Sequence, residues 1–532
     1  MPEVSAEPPP VHFAVASESS AATKEASRLL AAGGNAFDAA VVATLIAGFT
    51  NPQSSGLGGG GFALVWSAAE QHAYAFDFRE TAPAAIDVSA LDKRPVPPEL
   101  RGQSVGVPGE VAGLFEMHQR FGKQKWKDVV ARAARLAELG FLTEPHTASL
   151  LAGQAQGLIA QSPTFKSVYL PSGKPAVAGQ KLRASKLSKT LTRIGGAGRS
   201  AFYEGPVASD IVKAVQAAGG ALSLDDLKNY RVVSREPLRV EWAGKQVVTM
   251  PPPSAGGLLL AETLALFSPA ELTALGGAPG KRVHLLAEAM RGAAADRARY
   301  FGDPSFVSVD VAGLLSPARI ARRKAALAED RTHTQPRFGL EDAGTHHLLT
   351  ADGEGNWVSL TTTVNEGFGA KVVAEQTGIL LNNELTDFAT PDSVAVFGMT
   401  ESPNRARPGA RPVSSMTPTL VFENGVPTAA LGGSGGLTIA PNVTQVLLNR
   451  LAYGMSAADA VAAPRFMIPP PKSGQTLQLE AALAEPYGAD LEARGEILLS
   501  RDWKTAVQLI TRDGQTLDAA SDPRKQGSAV AQ

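Results

Sequence analysis

The order of apolar and polar positions divides the chain into discrete elements. From Ser20 to Leu30 apolar residues recur at helical spacing, and Gly33-Gly34-Asn35 stops the run. Ala36 to Ala47 is apolar on nearly every side, which predicts a second helix buried all round. The turn-rich stretch Asn51–Gly61 leads into two short strands, Phe62–Trp66 and Ala73–Phe78, the second ending at Arg79. Helical spacing returns at Gly109–Glu144 and Val207–Tyr230, with a helix-start signal at Ser223-Leu-Asp-Asp226. MPPPSAGG at 250–257 breaks the chain before a buried helix at Leu258–Leu266, and His284–Tyr300 is again helical. Residues 326–343 are polar and patternless, which predicts an exposed loop.

Two runs rich in β-branched residues, Thr345–Ala351 and Asn356–Val364, flank Asp352-Gly353-Glu354-Gly355, the pattern of a β-hairpin. Pairing centred on residue 354 sets Thr345 opposite Thr363; a loop centred half a step earlier sets Thr362 there instead. Either register faces a hydroxyl toward a Gly-Thr bond at the start of the first strand. Beyond the hairpin come Gly378–Asn383, a polar loop at 389–410, strands near Pro418–Glu423 and Pro427–Leu431, and a helix from Asn442 to Tyr453. Strands gather toward both ends and helices fill the middle. That distribution predicts a layered mix of helices and sheets, not a regular βαβ alternation.

Composition narrows the function. With 532 residues, 44% hydrophobic and 19% charged, the chain can bury a large core. A net charge of −1 and the lack of a basic tract argue against nucleic acid or an anionic membrane as partner. The longest apolar stretch, Ala39–Phe49, is too short to span a bilayer, which takes about 20 residues. Residues 1–12 read as a flexible Pro-rich arm without the basic and apolar regions of a signal peptide. The absence of cysteine removes disulfides, thiolate metal sites and cysteine nucleophiles.

Several candidate motifs fail on mechanical grounds. Gly58–Gly61 and Gly276–Lys281 lack the Gly-Lys-Ser/Thr ending that a phosphate loop needs. Gly432-Gly-Ser434-Gly-Gly436 matches a serine nucleophile elbow, but the last of the eight histidines is His347, and the elbow's triad needs one after the serine. Such a turn before a helix still presents backbone N–H groups suited to an oxyanion. His346 and His347, adjacent on a strand, point to opposite faces and cannot converge on one ion. Neither a metal nor another cofactor is expected.

A long series of motifs then becomes recognisable: GGNAFDAA at 33–40, NPQSSGLGGGGF at 51–62, DFRETAP at 77–83, VGVPGEVAG at 105–113, MPPPSAGG at 250–257, THH at 345–347, GILLNNELTDF at 378–388, RPVSSMTPT at 411–419 and GGSGG at 432–436. In this order, from Ala14 to Asp522, the chain resembles the γ-glutamyltransferases (glutathione hydrolases) of the N-terminal-nucleophile hydrolase superfamily. The resemblance implies an α+β fold, a four-layer αββα sandwich built by a precursor that cuts itself. The segments would be 13–344, the large subunit, and 345–532, the small catalytic subunit.

Carried over by motif, the cut falls between Gly344 and Thr345, Thr345 is the nucleophile and Thr363 its hydroxyl partner. Arg79, Ser414 and Ser415 match the groups that hold the glutamyl α-carboxylate. Asn365, Glu384 and Asp387 match those around the α-amino group, and Gly435 and Gly436 match the oxyanion pair. The implied donors are glutathione and other γ-glutamyl compounds, the acceptors water, amino acids or dipeptides. The family is usually periplasmic or secreted. Three positions depart from its pattern: His346 in place of a threonine at the cut, Ser434 where a proline is usual, and Phe397 where lid-bearing members often carry a tyrosine. Two rival readings are an acylase of the same fold acting on γ-linked polyglutamate or glutaryl amides, and an unprocessed protein that binds γ-glutamyl peptides.

Overall fold

The computed structural model describes residues 12–154, 157–332, 343–395, 398–468, 476–501 and 505–532. In chain order the strands of its two large sheets are β1 (Ala14–Ser17), β2 (Gly60–Ser67), β3 (His72–Phe78), β4 (Val233–Arg235), β5 (Leu238–Trp242), β6 (Lys245–Thr249), β7 (Ala343–Ala351), β8 (Trp357–Glu366), β9 (Thr419–Glu423), β10 (Val426–Ser434), β11 (Ala506–Asp513), β12 (Thr516–Ser521) and β13 (Ser528–Ala531). The first sheet runs β13-β1-β7-β8-β2-β3-β4 and the second β12-β11-β10-β9-β6-β5.

Helices α1 (Ser20–Ala31), α2 (Ala36–Thr50), α3 (Glu110–Phe121) and α4 (Trp126–Leu139) share one core with the outer face of the first sheet. Helices α5 (Gly256–Leu266), α6 (Pro279–Tyr300) and α7 (Ile439–Leu451) belong to a second core, which also fills the space between the sheets. The order of layers is αββα, the α+β sandwich that the resemblance implies. Residues before and after 344 contribute strands to both large sheets, so neither of these two sheets is built by one segment alone.

Sequence and structure agree most closely where a pattern is long and locally capped. Every residue of α2 except Gly48 is buried, and its start is a reciprocal cap between Asn35 and Asp38. The helical stretches at 109–144 and 207–230 each divide, the first after Phe121 at Gly122 and the second at Gly219-Gly220, because these glycines take conformations a helix does not continue. Strands β1, β5, β6 and β11–β13 carry no pattern that the sequence reading picked up. They are short, and most have partners far away in sequence.

The hairpin β7–β8 forms with Thr345 opposite Thr363, the register centred on residue 354. Its turn is organised by Asp352. One carboxylate oxygen accepts the Glu354 and Asn356 N–H groups at 2.9 and 3.0 Å, and the other accepts Ala36 N–H at 2.8 Å. One side chain thus closes the hairpin and satisfies a free donor at the start of α2. The facing sheets touch at His347, whose Nδ1 is held 2.8 Å from Thr361 Oγ1 of its own sheet. A Cβ on Gly432 of β10 would fall 2.2 Å from that imidazole, so only glycine admits the ring.

Replacing Asp352 with alanine removes these bonds from a largely buried site and is expected to cost about 2–3 kcal/mol. Urea unfolding of Asp352→Ala against the parent chain checks this; an unchanged midpoint contradicts the role given to the carboxylate.

Candidate active site

The end of β7 is shaped by an irregularity in β8. After Thr363 the pairing shifts by one residue, so Asn365 lies opposite Gly344, and Asn365 takes a left-handed φ of 74°. The bulge turns Asn365 N–H onto Thr363 Oγ1 at 2.8 Å, while the Thr363 hydroxyl donates to the Gly344 carbonyl at 2.6 Å. Thr363 Oγ1 also lies 3.4 Å from Thr345 Oγ1. Since the single proton of Thr363 is directed at Gly344, Thr345 is the donor in that contact. Gly344 is required sterically: a Cβ there would fall 2.2 Å from the Gln53 carbonyl oxygen.

Across the sheet Thr345 faces Thr363, Thr363 faces Gly60, and Arg79 directly follows β3 in the neighbouring strand position. Three strand spacings separate Thr345 from Arg79 along this row, about 14 Å between backbones, and the long Arg79 side chain shortens that interval. Its guanidinium is almost wholly buried, pairing with Glu384 through Nη1 and with Asp387 through Nη2 at 2.6 Å. Nε donates to Pro412 O at 3.2 Å and Nη2 to Val413 O at 3.4 Å, which brings the segment leading to Ser414 and Ser415 alongside. Ser414 is buried and backbone-bonded to Pro253 and Ala255; Ser415 is half-buried.

The turn carrying Glu384 and Asp387 hangs from the end of β8. Asn383 N–H donates to Val364 O, and Asn365 Nδ2 reaches Asn383 O at 3.2 Å and Thr386 Oγ1 at 2.9 Å. Asn382 pins the same segment from the other side, linking Gly58, Gly106 and Glu384. Asn365, Glu384 and Asp387 are therefore one connected unit around Arg79.

Glu80, next to Arg79 in the same motif, is fully buried beside Glu384. Burial, and then the neighbouring Glu384 charge, hold Glu80 well above the usual carboxylate range. Burial likewise pushes Glu384 up to about 8, against the pull of Arg79. The two carboxyl groups thus keep a proton at neutral pH. The sequence reading overlooked Glu80, although it lies inside DFRETAP.

Gly435 and Gly436 form the turn between β10 and α7, with φ values of 123° and 61°. A Cβ on Gly435 would meet Thr505 at 2.4 Å. Lys525 connects this turn with β7: Nζ donates to Ser434 Oγ at 2.6 Å, to Thr345 O at 3.2 Å and to Glu18 Oε2 at 2.9 Å. Neither Lys525 nor Glu18 lies in any motif that sequence reading singled out; only packing brings them here.

All the residues anticipated from sequence for a cut and for a glutamyl group thus lie along one end of the first sheet and the turns beside it. His346 is buried, and neither of its ring nitrogens has a hydrogen-bond partner among the described residues. Phe397 lies outside the described residues. Among the described residues there is no group of three or more His, Asp or Glu side chains placed to hold a metal.

The chain is 36% identical to glutathione hydrolase 2 of Arabidopsis thaliana, over 97% of this chain and 93% of that protein. It is equally similar, at the same coverage, to the glutathione hydrolase proenzyme of Pseudomonas aeruginosa. Among solved structures, a cephalosporin acylase from Bacillus halodurans matches all of this chain and 98% of its own, with a TM-score of 0.86 at 26% identity. The γ-glutamyltranspeptidase of Helicobacter pylori matches 59% of this chain and 90% of that chain, with a TM-score of 0.55 at 34% identity. The sequence model of the gamma-glutamyltranspeptidase family covers residues 22–532, and with relatives above 30% identity along nearly the whole length, the chain belongs to that family.

Proposed function

We propose that the chain is a precursor that cuts itself between Gly344 and Thr345 and then transfers γ-glutamyl groups from Thr345. Membership of the gamma-glutamyltranspeptidase family makes it an enzyme of γ-glutamyl chemistry. The observation that carries the self-cutting step is the position of one hydroxyl: Thr363 donates to the carbonyl of the bond to be broken and touches the oxygen that attacks it. Donation to the carbonyl draws charge toward its oxygen, and Thr345 Oγ adds to the carbonyl carbon. The amide nitrogen leaves as the new α-amine of Thr345, and water hydrolyses the resulting ester. The products are residues 1–344 and 345–532, roughly 36 and 20 kDa.

In the mature enzyme the free α-amine, a type of group with an unperturbed pKa near 8, takes the Thr345 hydroxyl proton as Oγ attacks the γ-carbonyl of the donor. The N–H groups of Gly435 and Gly436 meet the developing oxyanion. The donor amine departs, and water, an amino acid or a dipeptide releases the glutamyl group. Its α-carboxylate lies on Arg79 with Ser414 and Ser415, and its α-ammonium among Asn365, Glu384 and Asp387. A zwitterionic head suits a site in which Arg79 already pairs with two carboxylates, because its own two charges insert between them. Two of the relatives are named glutathione hydrolases, one of them a proenzyme, which supports glutathione as a donor.

The processing step is tested by Thr345→Ala, which should remain a single chain on a denaturing gel and show no turnover; cleavage or activity in that variant removes Thr345 from the mechanism. A glutaryl anilide lacks the α-ammonium and leaves the buried carboxylates without their ligand. It is expected to react with kcat/KM at least about 100-fold below the γ-glutamyl anilide. Parity between the two would favour the acylase reading. Burial holds a proton on the Glu80–Glu384 pair at pH 7, and a bound ammonium favours the fully ionised pair. Glutamate binding at pH 7 should therefore release a proton, seen calorimetrically as a dependence of binding enthalpy on the buffer's ionisation enthalpy. Buffer-independent heats would contradict this.

A further inference from the structure

The edge of β7 loses its strand neighbour where the nucleophile lies. β1 pairs with β7 only as far as Ser17 opposite Leu348, then turns into α1. The backbone groups of His347 and Thr345 on that side would be buried without partners, at a cost that folded chains rarely bear. Two side chains take over the missing ladder. Glu18 Oε1 accepts the His347 N–H at 3.0 Å, and Lys525 Nζ donates to the Thr345 carbonyl at 3.2 Å. The two are joined to each other at 2.9 Å, and both are nearly fully buried.

We infer that the Lys525–Glu18 pair acts as a surrogate strand that keeps Thr345 in place once the chain is cut, and that the Lys525 ammonium keeps the new α-amine unprotonated. The inference rests on the reading of Thr345 as nucleophile. Before cleavage Thr345 is held through the chain on both sides; afterwards it is a strand terminus, and termini fray unless tied down. Thr363 secures one side of it and Lys525 the other. Lys525 also holds Ser434, so the residue before the Gly435-Gly436 turn and the nucleophile share one donor. A proline at 434, usual in the family, offers no such acceptor.

The electrostatic part follows from proximity. Nζ lies 3.2 Å from the Thr345 oxygen, and therefore within about 6 Å of the same residue's nitrogen. A positive charge at that range disfavours protonation of the amine, which must be free to accept the hydroxyl proton. Glu18 opposes this effect in part. The other groups near the amine do not compete. His346 is pushed down to about 4 and His347 well below its usual range, both by burial, so both imidazoles are neutral. Arg524 is engaged with Glu480 and Asp522. Lys525 is thus a positioning residue that acts through Thr345 and does not touch the substrate.

The test measures subunit formation by intact mass and the pH profile of kcat/KM with a γ-glutamyl anilide, for the full chain and for Lys525→Met, Lys525→Arg and Glu18→Gln. The processed Lys525→Met enzyme should show the acidic limb displaced upward by about one pH unit, with kcat lowered at least tenfold and KM changed less than threefold. Lys525→Arg should restore most of both. Glu18→Gln should move the limb downward, since it removes the opposing charge. A purely structural role would lower activity in both variants without opposite displacements. If Lys525→Met does not mature, the direction of the Glu18→Gln limb decides. An unmoved limb in Lys525→Met, or limbs moving the same way in both variants, overturns the inference. Failure of the nucleophile reading is separate: it would appear as an inactive or uncut parent chain.

Discussion

One hydroxyl, that of Thr363, is the contact on which the remaining geometry converges. Its single proton is committed to the Gly344 carbonyl, and its lone pairs receive the Asn365 N–H and face the Thr345 hydroxyl. That arrangement exists because β8 carries one extra residue at this point, which tilts the following N–H back onto the threonine. Without the bulge the ladder would continue regularly, and the Asn365 N–H would pair across the strand. A local defect in a sheet is thereby used to aim three groups at one peptide bond.

The charged cluster around Arg79 follows a different rule. Four ionisable side chains, Arg79, Glu80, Glu384 and Asp387, are gathered where water is excluded, and an isolated charge there would be very costly. They are tolerated because Arg79 answers two of the carboxylates and burial beside Glu384 keeps Glu80 protonated. Such a cluster is poised to change its proton content when a charged ligand arrives. The asparagines at 365, 382 and 383 contribute no charge. Their amides fix the turn that holds the acids to the end of β8 and to the loops at Gly58 and Gly106.

The two sheets approach closely where the glycine turn after β10 lies beside Thr345 on β7. Gly432 permits this by leaving room for the His347 ring, and Lys525 adds a polar tie between Ser434 and Thr345. Both halves of the chain supply strands to both sheets. Separation of the halves after a cut would expose strand edges and two apolar cores, so a cleaved enzyme stays associated by the same burial that folded the precursor.

Much of this was legible in the linear order of residues. The apolar helix α2, the hairpin and its two threonines, and the motifs carrying Arg79, Glu384, Asp387, Ser414 and Gly435 can all be read locally, since periodicity, turn chemistry and short motifs are properties of neighbours. Local pattern left the hairpin register open between Thr362 and Thr363; the observed pairing takes Thr363, through a turn organised by Asp352 and a bulge that lies beyond it. The short strands β1, β5, β6 and β11–β13, the buried Glu80 beside Glu384, and the Lys525–Glu18 pair at the edge of β7 came only from tertiary structure. These depend on residues hundreds of positions apart meeting in a dry interior, where burial shifts a proton or calls for a partner, and no spacing along the chain encodes that encounter.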